Sequence, residues 1–139
     1  MALSASKLKV GDKHTERVVE NLTRTQLVQY AGASGDYNPL HTDEVYSVHA
    51  GYKGVFAHGM LTMGLTGKML TNYVGDARLR KFGVRFTNQV WPGDTLDSTA
   101  TVAAIRHEGG EHLVDLAIAT VNQDGREVVV GHATARVDP

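Results

Sequence analysis

The sequence predicts an α+β domain in which one long buried helix packs with one curved antiparallel sheet of five or six strands. Residues 58–75 carry one reliably charged side chain, Lys68, and their apolar side chains fall on every face, which is typical of a helix buried nearly all round. From about Leu79 onward, apolar residues tend to alternate with polar ones between turns, as in strands. The length of 139 residues is that of a single domain, so we expect one domain over residues 1–139.

Two shorter helices are predicted before the long one. The first opens with a capping box at residues 23–26 and ends at Gly35. The second is expected from residue 42 or 43 to about His49, with Gly51 closing it. The first half of the chain is therefore expected to consist mainly of helices and loops.

The long helix over residues 58–75 measures roughly 25 Å at about 1.5 Å per residue. It is too short and too rich in Gly, Thr and Asn to span a membrane, so no membrane partner is expected. Gly64 and Gly67 each cost about 1 kcal/mol relative to alanine in a helix interior. Because they lie three residues apart on one face, we expect that face to approach the sheet closely.

Four strands are predicted in the second half of the chain. They cover residues 79–90, 95–107, 111–121 and 126–137. The turns between them are Pro92-Gly93-Asp94, Gly109-Gly110 and Asp124-Gly125. In this order they form an antiparallel meander, and Val18-Val19 is a possible further strand before the helices.

Composition excludes some function classes and favours a location. Fourteen Lys and Arg against fifteen Asp and Glu leave a formal charge of −1 with no basic run, so a nucleic-acid partner is not expected. The absence of cysteine excludes disulfides and thiolate metal sites and is compatible with a cytoplasmic enzyme. The first twenty residues are polar and charged, without the apolar segment of a secretory signal. We therefore expect a cytoplasmic location.

The stretch "SGDYNPLH", residues 34–41, contains two groups that can transfer protons, Asp36 and His41. Residues five apart point to opposite faces of a strand and lie roughly 140° apart around a helix, so only a curled loop brings them together. Pro39 favours such a loop because it disfavours the α conformation at Asn38. The alternative interpretation is an ordinary turn, with Asp36 as a cap and His41 on the surface.

A second candidate feature is His58-Gly59 at the start of the long helix. The first amides of a helix have no intrahelical acceptor and lie at the positive end of the helix dipole. Such amides can stabilise an oxyanion. The alternative is a plain helix start at which His58 acts as a weak cap. The occurrence of both features in this order, ahead of the strands, favours an active site.

The segment "YAGASGDYNPLHTDEVYSVHAGYKGVFAHGMLTMG" resembles the signature of the MaoC-like dehydratases, the R-specific enoyl-thioester hydratases. "VRFTNQVWPGDTL" is similar to that family's strand-and-turn segment, and the resemblance extends from about Gly11 to the end of the chain. It implies a hot-dog fold, in which the sheet wraps the long central helix, and usually a homodimer. It also implies reversible syn addition of water to a trans-2-enoyl thioester of coenzyme A or acyl carrier protein.

The resemblance also implies residue roles. Asp36 and His41 match the catalytic pair, and Gly59 matches the amide that binds the oxyanion. Asn38 matches a supporting residue of the catalytic loop and is expected beside the substrate. Some relatives have a serine where this chain has Gly67, so a hydroxyl contribution at that position is not carried over.

His58 and Met60 flank Gly59 and are also expected to bind substrate. Met60, Met63 and Met69 fit an acyl tunnel, but buried methionines are more often core filler. Four further histidines share no metal-ligand spacing with carboxylates and are expected to be ordinary surface or sheet residues: His49, His107, His112 and His132. We expect neither a metal nor another cofactor.

The chemistry of hydration agrees with this set of residues. Water attacks the β-carbon, negative charge develops on the thioester oxygen, and the α-carbon gains a proton. Two proton-transfer groups around one water and one oxyanion donor satisfy these needs. Which of Asp36 and His41 is the base and which is the acid stays open.

Two alternative functions have less support in the sequence. The first is a mainly structural subunit of a hetero-oligomeric hot-dog dehydratase, against which the intact Asp36, His41 and Gly59 argue. The second is a hot-dog thioesterase, which needs a carboxylate on the long helix, and residues 59–75 contain none. Partners are an acyl thioester and either a second copy or a related hot-dog chain, while acyl length, carrier and direction stay open. Candidates for binding the phosphates of coenzyme A are Arg80, Lys81 and Arg85, but a solvated strand face is the preferred interpretation of these three residues.

Overall fold

The computed structural model describes residues 2–139. The chain forms three helices, a short 3-10 turn and one antiparallel sheet of five strands. The helices are α1 (Arg24–Ser34), α2 (Glu44–His49) and α3 (Gly59–Val74), and the 3-10 turn is Pro39–His41. The strands are β1 (Lys13–Val19), β2 (Leu79–Phe86), β3 (Leu96–Glu108), β4 (Glu111–Val121) and β5 (Glu127–Val137). The predicted α+β class and the lower strand count are confirmed.

The strands lie in the order β1-β3-β4-β5-β2, and every neighbouring pair is antiparallel. The predicted meander is therefore right for β3, β4 and β5 but wrong for β2, which pairs with β5 at one edge. The segment that connects β2 to β3 does not form a hairpin. Its backbone carbonyls accept hydrogen bonds from residues outside the sheet. The Ala57 N–H donates to Val90 O, and the Leu22 N–H donates to Asp94 O. These bonds separate β2 from β3.

The first two helices begin and end close to the predicted positions. Thr23 and Gln26 form both bonds of the capping box, and Gly35 ends α1 in the left-handed conformation at φ 76°. Asp43 caps α2 by accepting the Tyr46 N–H at 3.1 Å. These ends are local features, so the sequence alone predicts them.

Helix α3 packs one face on the sheet and leaves another open in the single chain. Its buried residues are Thr62, Thr66, Met69, Leu70 and Val74. Every fourth residue from Met60 is exposed, namely Met60, Gly64, Lys68 and Asn72. The prediction of burial nearly all round is thus wrong for the single chain, because one sheet covers only one side of a helix. No helix within residues 2–139 is long and apolar enough to cross a membrane.

The two helix glycines have different surroundings. A Cβ atom on Gly67 would lie 3.2 Å from the Phe82 ring of β2, whereas one on Gly64 would meet nothing within 4 Å. The expected close approach to the sheet therefore holds for Gly67 and not for Gly64. Phe82 occupies the space that a side chain at position 67 would need.

The core has two apolar clusters with a buried hydroxyl cluster between helix and sheet. One cluster surrounds Met69, Leu70 and Val74, and the other surrounds Leu27 and Leu96. Three buried hydroxyls bond to one another where α3 crosses β3 and β4. Thr120 Oγ1 is 2.7 Å from both Thr66 Oγ1 and Ser98 Oγ. Because these polar groups satisfy each other, they are compatible with a buried position.

Candidate active site

The loop after α1 is a succession of side-chain-to-backbone turns. The Asp36 N–H donates to Ser34 Oγ at 3.1 Å, and the Asn38 N–H donates to Asp36 Oδ1 at 3.3 Å. The Leu40 N–H then donates to Asn38 Oδ1 at 3.0 Å, and Pro39 begins the 3-10 turn. Ser, Asp and Asn favour this conformation because their side chains replace backbone acceptors. The curled loop predicted from the sequence is present.

This loop brings Asp36 and His41 together. Asp36 Oδ2 lies 3.9 Å from His41 Nε2, beyond hydrogen-bond length, so both atoms remain available to a third group. The Asp36 side chain is 51% exposed and that of His41 is 10% exposed. Asp36 therefore serves both interpretations of the sequence: Oδ1 holds the turn, and Oδ2 faces the histidine.

The tautomer of His41 follows from its other nitrogen. His41 Nδ1 lies 2.6 Å from Phe56 O, and a carbonyl only accepts, so Nδ1 carries the hydrogen. In the neutral ring, Nε2 then holds a lone pair directed at the Asp36 side. The ring is fixed by Phe56, edge-on at 5.2 Å, and by His58, stacked at 3.9 Å. This is the geometry of a positioned proton acceptor.

His58 is a supporting residue of this pair. It makes no capping bond to α3; its Nε2 instead lies 3.0 Å from the Asp36 carbonyl oxygen and donates to it. It is 1% exposed, and its Nδ1 finds no partner among residues 2–139. Because the ring contacts the backbone of Asp36 and the face of the His41 ring, it fixes the relative position of these two residues. The sequence predicts His58 as a substrate-binding residue and does not predict this supporting role.

Burial lowers the pKa of His58 below its ordinary value of 6.5, and the nearby His41 lowers it further. The hydrogen bond to the Asp36 carbonyl opposes these effects without reversing them. His58 therefore stays neutral at neutral pH. A neutral His58 ring places no positive charge against the face of His41.

We expect His58→Gln to flatten the dependence of Tm on pH in mildly acidic solution. The folded-state pKa of His58 is depressed, so the unfolded chain binds more protons below about 6.5. Its contribution to stability is complete above that pH and is lost as the pH falls towards the folded pKa. Thermal unfolding between pH ~7.5 and ~5 tests this, with the exposed His49→Gln as the control that keeps the wild-type slope. Equal slopes in wild type and His58→Gln would contradict it.

Gly59 lies at the open end of α3 beside a cavity. The first bond of the helix runs from Leu61 N to His58 O, so the Gly59 N–H precedes the helical ladder. The cavity has a volume of about 280 Å³, and its walls include Gly59, Thr62 and Phe86. A Cβ atom at Gly59 would lie 3.3 Å from the Phe86 ring. Glycine therefore fits beside the Phe86 ring without displacing it, and its N–H belongs to a residue of the cavity wall.

The other predicted substrate contacts have different positions. Asn38 is exposed and builds the loop through its side-chain oxygen. Met60 is 56% exposed and does not line the cavity, because one residue along a helix turns the side chain by about 100° from Gly59. Their contact with substrate stays a prediction, and the position of Met60 counts against it. Met69 is fully buried in the core, as the filler interpretation has it.

Asp36, His41 and His58 each place one potential metal-ligand atom within 4.8 Å of the other two. His41 Nδ1 and His58 Nε2 donate to backbone carbonyls, so the ring lone pairs lie on His41 Nε2 and His58 Nδ1. These two nitrogens and an Asp36 oxygen are the atoms that a metal would take, and the same atoms suit proton transfer. The absence of a metal stays a prediction.

The sequence comparisons give a family and two enzyme relatives. The model of the MaoC-like domain matches residues 6–123. The 3-hydroxyacyl-thioester dehydratase Y of Mycobacterium tuberculosis is 33% identical over 91 residues, which are 63% of this chain and 31% of that protein. The fatty acid synthase beta subunit aflB of Emericella nidulans is 34% identical over 113 residues, 78% of this chain but 5% of the subunit. The chain thus spans less than a third of the length of these curated relatives.

The fold comparison covers nearly the whole chain. The unliganded R-hydratase PhaJ1 of Pseudomonas aeruginosa superposes with a TM-score of 0.86 at 28% identity, covering 99% of this chain and 86% of that one. This similarity confirms the predicted hot-dog fold. Since the family model covers most of the chain and the fold agrees along its length, the chain belongs to the MaoC-like domain family.

Proposed function

We propose that the protein is a hydro-lyase that adds water reversibly to trans-2-enoyl thioesters and forms (R)-3-hydroxyacyl thioesters. The observation that carries this is the arrangement of Asp36 Oδ2 and His41 Nε2 3.9 Å apart, with His58 linking them to Gly59 at the helix end. Two groups on one side of a bound enoyl chain, and an oxyanion donor at its carbonyl, match the needs of hydration.

The reaction uses His41 Nε2, Asp36 Oδ2 and the Gly59 N–H. The lone pair of His41 Nε2 takes a proton from a water molecule that Asp36 Oδ2 orients by accepting its other hydrogen. The water oxygen bonds to the β-carbon, and the double-bond electrons move through the conjugated system onto the thioester oxygen at the Gly59 N–H. The proton then passes to the α-carbon as the carbonyl reforms. Because both groups lie on one side of the substrate, hydrogen and hydroxyl add to the same face.

The substrate carrier is coenzyme A or acyl carrier protein. Similarity to a thioester dehydratase and to an R-hydratase supports this class of substrate. The fatty acid synthase relatives support the alternative, in which the chain serves a mainly structural role within a hetero-oligomeric dehydratase. The intact site geometry favours the enzyme. Cytoplasmic location and a single domain over residues 1–139 stay predictions.

We also propose a dimer, of this chain or with a related hot-dog chain. Strands β1 and β2 are the two edges of the sheet. The face of α3 that carries Met60, Gly64, Lys68 and Asn72 is exposed to solvent in the single chain. Sheet edges invite pairing with another chain. A partner that continues the sheet would satisfy these edges.

The test is loss of the enoyl-thioester absorbance when protein is added. We expect turnover of at least one of crotonyl-, octenoyl- and longer enoyl-CoA, or of the same acyl groups on carrier protein. The preferred length then defines the acyl site. The absence of turnover on all of these substrates would contradict the proposed function.

A further inference from the structure

A polar groove adjoins the cavity beside Gly59. It has a volume of about 340 Å³, and its lining combines two cationic side chains, one indole, several amides and two carboxylates. These residues are Lys53, Arg126, Trp91, Asn88, Gln89, Asn122, Gln123, Asp94 and Asp124. Asn88 and Gln89 also line the cavity beside Gly59, so the two spaces share a wall. The cavity is more apolar, with Val90, Val128 and Val129 among its walls.

The cations of the groove are free to bind an anion. Within residues 2–139, neither Lys53 nor Arg126 forms an ion pair, whereas the arginines at 17, 24, 78, 80 and 106 all do. Lys53 Nζ instead lies over the Trp91 ring, 4.3 Å from its centroid. An exposed cation–π contact is weak, about 0.5–1 kcal/mol, so an anion can compete for Lys53.

The two carboxylates of the groove equal its two cations in number, but one of the carboxylates is bonded into the wall. Asp94 is buried and belongs to the wall, because Oδ1 accepts from Gln123 at 2.9 Å and Oδ2 accepts from the Trp91 N–H at 2.9 Å. Asp124 lies exposed in the turn before β5. The amides of Asn88 and Gln123 donate to Glu127 O and Asp94 Oδ1, so the charged side chains of the groove that are not bonded into its wall are Lys53, Arg126 and Asp124.

Aromatic contacts connect the groove to the catalytic pair. The Phe56 ring lies 5.2 Å from the His41 ring and 5.6 Å from the Trp91 ring, while Phe56 O holds His41 Nδ1. One side chain therefore separates the proton-transfer site from the groove. A thioester whose carbonyl lies at Gly59 can extend its carrier along this shared wall.

We propose that this groove binds the phosphate at the far end of the pantetheine arm of the substrate, through Lys53 and Arg126. The inference rests on the proposed function, because only thioester carriers place such a phosphate at a fixed distance from the reacting carbonyl. Coenzyme A carries a diphosphate there, and acyl carrier protein carries a phosphodiester. The sequence candidates for this task do not line the groove: Arg80 pairs with Glu111 on the strand face, and Lys81 and Arg85 lie elsewhere on β2.

The experiment compares crotonyl-CoA with crotonyl-N-acetylcysteamine, a truncated thioester that lacks phosphate. The double variant Lys53→Ala/Arg126→Ala should lose about 10-fold or more in kcat/KM on crotonyl-CoA, the scale of charge-assisted bonds. It should keep the wild-type value on the truncated substrate. The matched control is Lys13→Ala/Arg136→Ala, which removes two exposed cations outside both spaces and should change neither value.

Crotonyl carrier protein distinguishes the two carriers. If the double variant loses kcat/KM on either carrier substrate and keeps it on the truncated thioester, the result supports phosphate binding by the groove. The substrate that shows the loss identifies the carrier. An equal loss on all substrates, or no loss on either carrier substrate, overturns the proposal.

Calorimetric binding of free coenzyme A provides a readout that does not need turnover. Weaker binding by the groove variant than by wild type and control supports the site. Equal binding of coenzyme A by all three proteins overturns it. Lack of hydration by wild type on every substrate instead counts against the proposed function, and the binding result then decides the groove separately.

Discussion

Asp36→Asn should lower kcat by at least ~100-fold, the usual scale of a lost proton-transfer group, while Tm stays at the wild-type value. The amide keeps an oxygen that can accept the Asn38 N–H, so the loop retains its turn. It removes the charged oxygen that faces His41 Nε2. Steady-state hydration rates and thermal unfolding of the same preparation measure both effects.

The matched control is Asp43→Asn, seven residues along the chain. Asp43 caps α2 through its side-chain oxygen, and asparagine caps a helix about as well. The control should therefore keep both activity and Tm. If Asp36→Asn loses stability while its folded fraction turns over normally, Asp36 is a turn residue and not a catalytic one.

The partner substitution His41→Gln should lower kcat on the same scale and also lower Tm. His41 is 9% exposed, with the His58 ring stacked on its face and the Phe56 ring edge-on to it, so its loss removes packing as well as the lone pair. The double variant should be little worse in kcat than either single variant, because residues that act as a unit are not additive. Additive losses would show two independent roles.

Gly59→Val should lower kcat/KM by about 100-fold or more while the protein stays folded. Its side chain would stand beside the amide that faces the thioester oxygen, and loss of one oxyanion donor costs roughly 100- to 1,000-fold. The Phe86 ring lies 3.3 Å from the new Cβ but is 49% exposed, so it can move aside. Valine also forms helices better than glycine. Tm therefore stays level or rises.

Gly32→Ala is the control for this glycine. A Cβ at Gly32 meets nothing within 4 Å, and the residue lies in helix α1. Alanine there should stabilise the protein by up to about 1 kcal/mol without changing kcat/KM. A folded Gly59→Val protein with wild-type kcat/KM would remove Gly59 from the oxyanion site.

Local features of the sequence were enough for most of the secondary structure. The capping box at Thr23, the cap at Asp43 and the bounds of β4 depend on neighbouring residues, and all are found. The pairing of β2 with β5 is not local. It depends on contacts of the 87–95 segment with Ala57 and Leu22, which no periodicity reveals.

The candidate site shows the same division. Asp36 and His41 belong to one eight-residue loop, so their meeting could be predicted from spacing and Pro39. The supporting role of His58 depends on its stacking with the His41 ring and on its hydrogen bond to the Asp36 carbonyl. Neither contact can be predicted from the sequence pattern. The groove joins Lys53, Trp91 and Arg126 from three separate segments, and only the fold brings them together.

The central claim is syn hydration by Asp36 and His41 with the oxyanion at Gly59. Chiral analysis of the 3-hydroxyacyl product tests it most directly, after hydration of the best enoyl thioester in deuterium oxide. We predict the R alcohol, with deuterium at the α-carbon on the same face as the hydroxyl. An S product, or deuterium on the opposite face, would contradict the account.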